Sequence, residues 1–260
     1  MQKLTVITVT YNAASVLEKT IQSVISQTYF PQIAYIIIDG GSQDGTLDII
    51  KKYESYLSFW ISEPDQGIYD AMNKGIKVAK GEWINFMNAG DSFATTTIVA
   101  DVFKENMDWA DVVYGNYIVV YQTFKKYKIT PKDLTNFYRS MQLNHQSTFI
   151  RTKLAQSHLY DLKYKIACDY EQLFYFYTSG KVFHHIDKFI AEFADGGVST
   201  VQKINYLKEH KAIVKKYAPE KIINNHHINL LKANFIAFLR KIFPHIIFEQ
   251  MMLFKNRFAG

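Results

Sequence analysis

The chain has 260 residues, 48% of them hydrophobic and 15% aromatic, with 30 Lys/Arg against 24 Asp/Glu. That is too apolar for a disordered chain and enough for one sizeable core, with or without an appendage. A single cysteine, Cys168, excludes an internal disulfide and a cysteine-built zinc site and fits a reducing compartment. Leu4–Thr10 is a short β-branched run that reads as a strand, too short and strand-like for the apolar core of a signal peptide. Residues 15–27 carry Val16, Ile21, Val24 and Ile25 at helical spacing, and residues 35–38 form a second strand. Asp44 is placed to cap a helix containing Leu47, Ile49 and Ile50. A third strand is expected over 57–62, a third helix over 65–79 and a fourth strand over 82–87.

Apolar strands alternating with helices predict an α/β domain built on a mostly parallel sheet. Beyond Asp91 the pattern loosens. Strands are expected over 111–114, 117–121, 147–151 and 182–193, and a helix over Cys168–Thr178 that stops at Gly180. From Thr200 onward the chain reads as helices, which puts a boundary near Ser199. No run of 18 apolar residues occurs, so no bilayer-spanning helix is expected.

Charge is uneven. Residues 201–260 hold 11 Lys/Arg and 3 Asp/Glu, a net of +8, while the other 200 residues hold 19 and 21, a net of −2. A basic tail on a near-neutral body points to an anionic partner, either a membrane surface or nucleic acid.

In an open parallel sheet, ligands bind beyond the carboxyl ends of the strands. The first four strands deliver Thr10-Tyr11-Asn12, then Asp39-Gly40-Gly41-Ser42, then Glu63-Pro64-Asp65-Gln66-Gly67, then Asn88-Ala89-Gly90-Asp91. Each alone is an ordinary turn. Together they build an acidic crevice walled by Tyr11. Such a crevice holds a phosphate ligand only through a cation, and Mg²⁺ uses one or two carboxylates, with Asp91 the natural ligand. Neither G-x-G-x-x-G nor G-x-x-x-x-G-K-[ST] occurs, which argues against a dinucleotide oxidoreductase and a P-loop NTPase.

These segments, together with Ile68-Tyr69-Asp70-Ala71-Met72-Asn73, resemble a family 2 glycosyltransferase with the GT-A fold, of the kind found among bacterial surface-polysaccharide sugar transferases. The resemblance covers residues 4–92 well, thins out toward Ser199 and leaves the tail uncovered. It implies a Rossmann-like, mostly parallel central sheet flanked by helices, with a C-terminal helical appendage. Residues 1–199 would be the transferase domain, with a donor half (1–92) and an acceptor half (93–199), and 200–260 a basic amphipathic region. Thr10, Tyr11 and Asn12 would meet the nucleobase and ribose, and Asp39 would accept a hydrogen bond from uracil or thymine. Ser42 and Gly67 would join the donor-binding positions, and Asp65, Asp70 and Asn73 would line the ribose–diphosphate side. Asn88, Ala89 and Asp91 occupy the family's Asp-x-Asp position, where this chain keeps one carboxylate. A divalent metal, Mg²⁺ or Mn²⁺, would then rest on Asp91.

On the acceptor side the resemblance places the base that takes the acceptor proton at Cys168-Asp169-Tyr170-Glu171. Asp169 is the first candidate and Glu171 the second, with a helix cap as the alternative role of Asp169. His145 and Gln146, and the paired Gly196 and Gly197, would contact acceptor or close over the donor. A structural histidine and a tight turn are the alternatives. His184-His185 and His226-His227 lack acidic partners at metal spacing. No Gln-x-x-Arg-Trp stretch occurs, which implies transfer of a single sugar rather than polymerisation. The expected reaction is inverting transfer from a nucleotide-diphosphate sugar, UDP-sugar favoured, to a lipid-linked or other glycan acceptor. A non-catalytic nucleotide-sugar-binding scaffold is the competing reading.

In the tail, Ile228, Leu231, Phe235, Phe238, Leu239 and Ile242 share a helical face. That face either packs on the catalytic domain or lies in a membrane interface. A basic tail and lipid-linked acceptors favour a cytoplasmic protein held peripherally on the inner membrane face. No nucleic-acid-binding motif accompanies the charge.

Overall fold

The computed structural model describes residues 2–121, 126–131, 133–195 and 202–221. In chain order its elements are β1 (Leu4–Thr10), α1 (Ala14–Ile25), β2 (Ile33–Asp39), α2 (Thr46–Lys52), β3 (Phe59–Ser62), α3 (Ile68–Val78), β4 (Trp83–Phe86), β5 (Ser92–Phe93), α4 (Ile98–Val102), β6 (Val112–Val120), β7 (Lys126–Ile129), β8 (Thr148–Arg151), α5 (Thr152–Ser157), α6 (Cys168–Thr178), β9 (Phe183–Ala194) and α7 (Lys203–Tyr217).

All the strands join one sheet in the order β3-β2-β1-β4-β8-β6-β9-β5, with β7 paired to β6. From β3 to β4 every pairing is parallel. The second half is mixed: β8 runs antiparallel to β4 and β6, β5 antiparallel to β9, and β6 parallel to β9. The expected parallel sheet therefore holds for β1 to β4, and the strands after them depart from it. Antiparallel strands need no helical crossover, and the sequence between 92 and 151 is correspondingly poor in helical periodicity.

Residues 111–114 and 117–121, expected as two strands, form the single strand β6, bent by register shifts on either side of Asn116. Gly115 permits the bend. A Cβ there would lie 2.6 Å from Ile190 Cδ1 and 2.8 Å from the Lys188 carbonyl oxygen. Only a glycine lets the bulged partner strand approach this closely.

Apolar residues cover both sheet faces. Ile7, Ile36, Ile38, Met72, Ile76 and Ile84 pack with α3 and α6 on one side. Leu4, Val6, Leu17, Ile21, Tyr35 and Ile37 pack with α1 on the other. Leu17, Ile21 and Val24 of α1 are fully buried, each worth about 1.5–3 kcal/mol. The N-cap of α2 is Gly45 rather than the expected Asp44, which lies one position earlier and accepts from the Thr46 N–H at 3.1 Å and the Thr46 hydroxyl at 2.6 Å. Its other oxygen accepts from the Ala14 N–H at 3.1 Å, so one carboxylate serves the first turns of both α2 and α1. On α7, Tyr206, His210, Ile213 and Val214 face inward, and His210 stacks on Tyr170 of α6 at 4.3 Å. The apolar stretch over 228–243 lies outside the described residues.

Candidate active site

The parallel register brings Thr10, Asp39 and Ser62 side by side at one sheet edge. The turn after β4 reaches the same edge, with the Ala89 N–H donating to the Val9 carbonyl at 3.2 Å. Tyr11 stands 64% exposed at the mouth, and the Thr10 hydroxyl is buried with no partner among the described residues. Gly40 forms the floor of a slot here. A Cβ on it would lie 2.6 Å from Asp65 Oδ2 and 3.3 Å from the Tyr11 ring.

Asp39 lies beneath this slot, fully buried. Its carboxylate accepts from the Gly41 N–H at 3.0 Å, the Ser42 N–H at 2.9 Å, the Ser62 hydroxyl at 2.6 Å and the Ser42 hydroxyl. Asp39 therefore shapes its own loop through Oδ2, while Oδ1 accepts only from the Ser42 hydroxyl among the described residues and keeps room for one further donor. Asp65 Oδ1 accepts from the Gly67 N–H at 2.8 Å, while Oδ2 has no hydrogen bond among the described residues and is the open acceptor on this wall. Asn12 sits at φ 46°, its amide oxygen accepting from the Gln43 N–H at 2.9 Å and its N–H donating to the Ser42 hydroxyl at 2.7 Å. Asn12 and Ser42 thus lock the first two loops together.

The turn from Asn88 to Asp91 is clamped from α1, where the Thr20 hydroxyl accepts from the Gly90 N–H at 2.9 Å and donates to the Asp91 carbonyl at 2.7 Å. Asp91 Oδ2 accepts from Gln146 Nε2 at 2.7 Å. Burial pushes the Asp91 carboxyl up to about 6, against the opposing pull of the Gln146 hydrogen bond and the nearby His145 and Lys19. Asn88 Nδ2 lies 3.0 Å from His145 Nε2, and His145 Nδ1 lies 3.5 Å from Asp169 Oδ2. The Tyr69 hydroxyl reaches Asp169 Oδ1 at 3.2 Å. A continuous line of polar side chains therefore runs from the donor turn through His145 to Asp169 at the start of α6. Tyr69 was not singled out from sequence; its place beside Asp70 at the start of a helix was the one available signal.

Two expected site residues belong elsewhere. Glu171 is fully buried, bonded to Lys216 Nζ at 3.0 Å, His158 Nε2 at 3.0 Å and the Tyr217 hydroxyl. Two residues along a helix turn the side chain by about 200°, so Glu171 points into the α6–α7 packing while Asp169 faces the cleft. Its candidacy as base is withdrawn. Asn73 is also buried, its amide nitrogen donating to the Tyr160 carbonyl and its oxygen accepting from the Tyr160 N–H, both at 2.9 Å. It clips α3 to the 160 loop and presents nothing to a donor. Asp70 accepts from the Gln66 N–H at 3.1 Å, steadying the start of α3. Gly196 and Gly197 lie outside the described residues.

No group of three His, Cys, Asp or Glu side chains poised to hold a metal occurs among the described residues. The oxygens around Asp91 nevertheless suit a hard divalent cation. Asn88 Oδ1 and Gln146 Oε1 are buried acceptors without partners among the described residues, beside a carboxylate with one open oxygen.

A mixed sheet, parallel from β3 to β4 and flanked by helices, is an architecture of the GT-A type. The sequence matches the family described as Glycosyl transferase family 2 over residues 5–164. This chain belongs to that family. It is 34% identical over 174 residues to an uncharacterized glycosyltransferase of Mycobacterium tuberculosis, a match covering 65% of this chain and 66% of that protein. To a PGL/p-HBAD biosynthesis glycosyltransferase of Mycobacterium bovis it is 33% identical over 168 residues, covering 62% and 64%. This chain therefore spans somewhat less than two thirds of the relatives it matches. Its fold resembles S. aureus TarS 1–349 in complex with UDP, with a TM-score of 0.63 and 17% identity over 86% of this chain and 68% of that one. It also resembles the mannosyltransferase PcManGT of Pyrobaculum calidifontis in complex with GDP-Man and Mn²⁺, with a TM-score of 0.65 and 16% identity over 89% and 68%.

Proposed function

We propose that this protein is an inverting, non-processive glycosyltransferase that moves one sugar from a UDP-sugar to a lipid-linked glycan acceptor. The observation that carries this reading is the line of side chains joining Asn88, in the turn that bears Asp91, to Asp169 through His145. Donor and acceptor chemistry need to be adjacent, and this line supports the reading that they meet here.

Tyr11 stacks on the nucleobase in the slot floored by Gly40, with Asp65 as hydrogen-bond acceptor. Asp91, with the oxygens of Asn88 and Gln146, would hold Mg²⁺ or Mn²⁺, which would supply charge to offset that of the diphosphate. Asp169 takes the proton from the acceptor hydroxyl as its oxygen bonds to the anomeric carbon. The bond from that carbon to the diphosphate oxygen breaks, UDP leaves with the electron pair, and configuration inverts. His145 holds Asp169 toward the cleft, and the Tyr69 hydroxyl shares its one proton between the Ile166 carbonyl at 2.8 Å and the other Asp169 oxygen at 3.2 Å.

The acceptor is presented at an anionic membrane surface. On α7, Lys208, Lys211 and Lys215 fall on one side of the helix, opposite buried Tyr206, Ile213 and Val214, and make no ion pair among the described residues. Each lysine near such a surface is worth about 1 kcal/mol. No helix among the described residues is long and apolar enough to cross a membrane.

Nucleoside diphosphate release from a panel of UDP-, GDP- and dTDP-sugars, with and without Mn²⁺, tests the reading. UDP-sugar turnover that needs the metal supports it. Absence of turnover with every donor would sink it.

A further inference from the structure

Glu209 of α7 spends its carboxylate on the chain that leads into α6. Its Oε1 accepts from the Lys165 N–H at 2.8 Å, and its Oε2 from the Ile166 and Ala167 N–H groups, each at 2.9 Å. Three consecutive main-chain donors thus converge on one side chain from a different element. Each bond is charge-assisted, and Ile166 and Ala167 are buried, where an unpaired N–H is costly.

The position of this contact gives it a second consequence. Ala167 is the residue from which α6 starts, and Asp169 lies in its first turn. The Ile166 carbonyl accepts from the Tyr69 hydroxyl at 2.8 Å, and the same hydroxyl reaches Asp169 Oδ1. Ile166 is therefore gripped from both sides, its N–H by Glu209 and its carbonyl by Tyr69. Elsewhere α7 repeats the pattern. Tyr206 accepts from the Met141 N–H at 3.4 Å, in the loop before His145, and Lys216 bonds Glu171. One helix thus braces both the segment bearing Asp169 and the loop bearing His145.

We propose that Glu209 is a positioning residue for Asp169, setting the start of α6 so that this carboxylate meets His145 across the cleft. The proposal rests on Asp169 being the base. Glu209 touches neither donor nor acceptor in this assignment, so its loss acts on the chemical step and leaves donor binding alone.

The test compares the full-length wild type with Glu209→Gln and Glu209→Asp. UDP release from a UDP-sugar gives kcat and KM, calorimetry gives UDP affinity, and hydrogen exchange reads the 165–167 amides. For Glu209→Gln the amides lose protection and kcat falls about tenfold or more, while donor KM and UDP affinity stay within about twofold. Glu209→Asp keeps the charge and recovers part of kcat. It also carries the test if the glutamine variant does not fold. Exposed amides with unchanged kcat would overturn the proposal. So would a joint fall of kcat and UDP affinity in step with the loss of folded protein, since that is the mark of a merely structural contact. A wild type that turns over no donor refutes the base assignment first, and the wild-type arm alone reveals it.

Discussion

Asp91 carries two opposing demands. Its carboxyl is held near 6 because burial strips water from the charged form faster than Gln146, His145 and Lys19 replace it. For a carboxyl raised above its ordinary value of 3.8, ionisation costs more in the folded state than in the unfolded one. The penalty is absent below about pH 4, grows up to about pH 6 and stays constant above. Asp91→Asn is therefore predicted to be more stable than wild type at pH 7.5, by about 1–3 kcal/mol, and no more stable near pH 4. It should lose metal-dependent turnover at the same time. Denaturation at the two pH values together with an activity assay checks this, and a variant destabilised at both would contradict it. The residue types that build the crevice were legible in sequence: Thr10, Tyr11, Asp65 and Asp91 all stand at the edge where strand ends were expected to deliver them. What residue type did not encode is how a polar side chain is used. Asn73 and Glu171 are as polar as the residues beside them, yet each is consumed by hydrogen bonds inside the protein, with Tyr160 and with Lys216 and His158 respectively.

Among the elements, the donor half was readable because each strand there is a continuous apolar run and each helix a periodic one. β1 has the expected limits, Leu4–Thr10. The acceptor half was less readable because its strands are set by tertiary pairing. β5 is two residues long and exists through its pairing with β9, and β6 runs through a bulge that only Gly115 allows. The helix α7 has two working faces. Its inner face braces α6, and its outer face presents Lys208, Lys211 and Lys215. Replacing these three lysines with glutamate is predicted to weaken binding to phosphatidylglycerol-containing vesicles by at least about tenfold, with the effect fading at high salt. UDP affinity should not change. Vesicle co-sedimentation measures this, and undiminished binding would move the membrane contact away from α7.

At the scale of the whole molecule, the proposed function requires two half-sites, a donor edge and an acceptor edge, to meet. The donor edge is a property of the parallel strands and of local loops, each within about 10 residues of a strand end, as the general rule for open sheets leads one to expect. The acceptor edge depends on His145, Tyr69 and Asp169, which lie far apart in sequence and meet only because β8 returns beside β4 and α6 docks against α3. The central claim is that Asp169 is the group that takes the acceptor proton. Its most direct test is Asp169→Asn, an isosteric change that keeps the His145 and Tyr69 contacts and removes the base. Turnover of the UDP-sugar should fall by at least about 100-fold, while UDP affinity and melting temperature remain close to wild type. Near-wild-type turnover in a folded, UDP-binding Asp169→Asn protein would contradict the account.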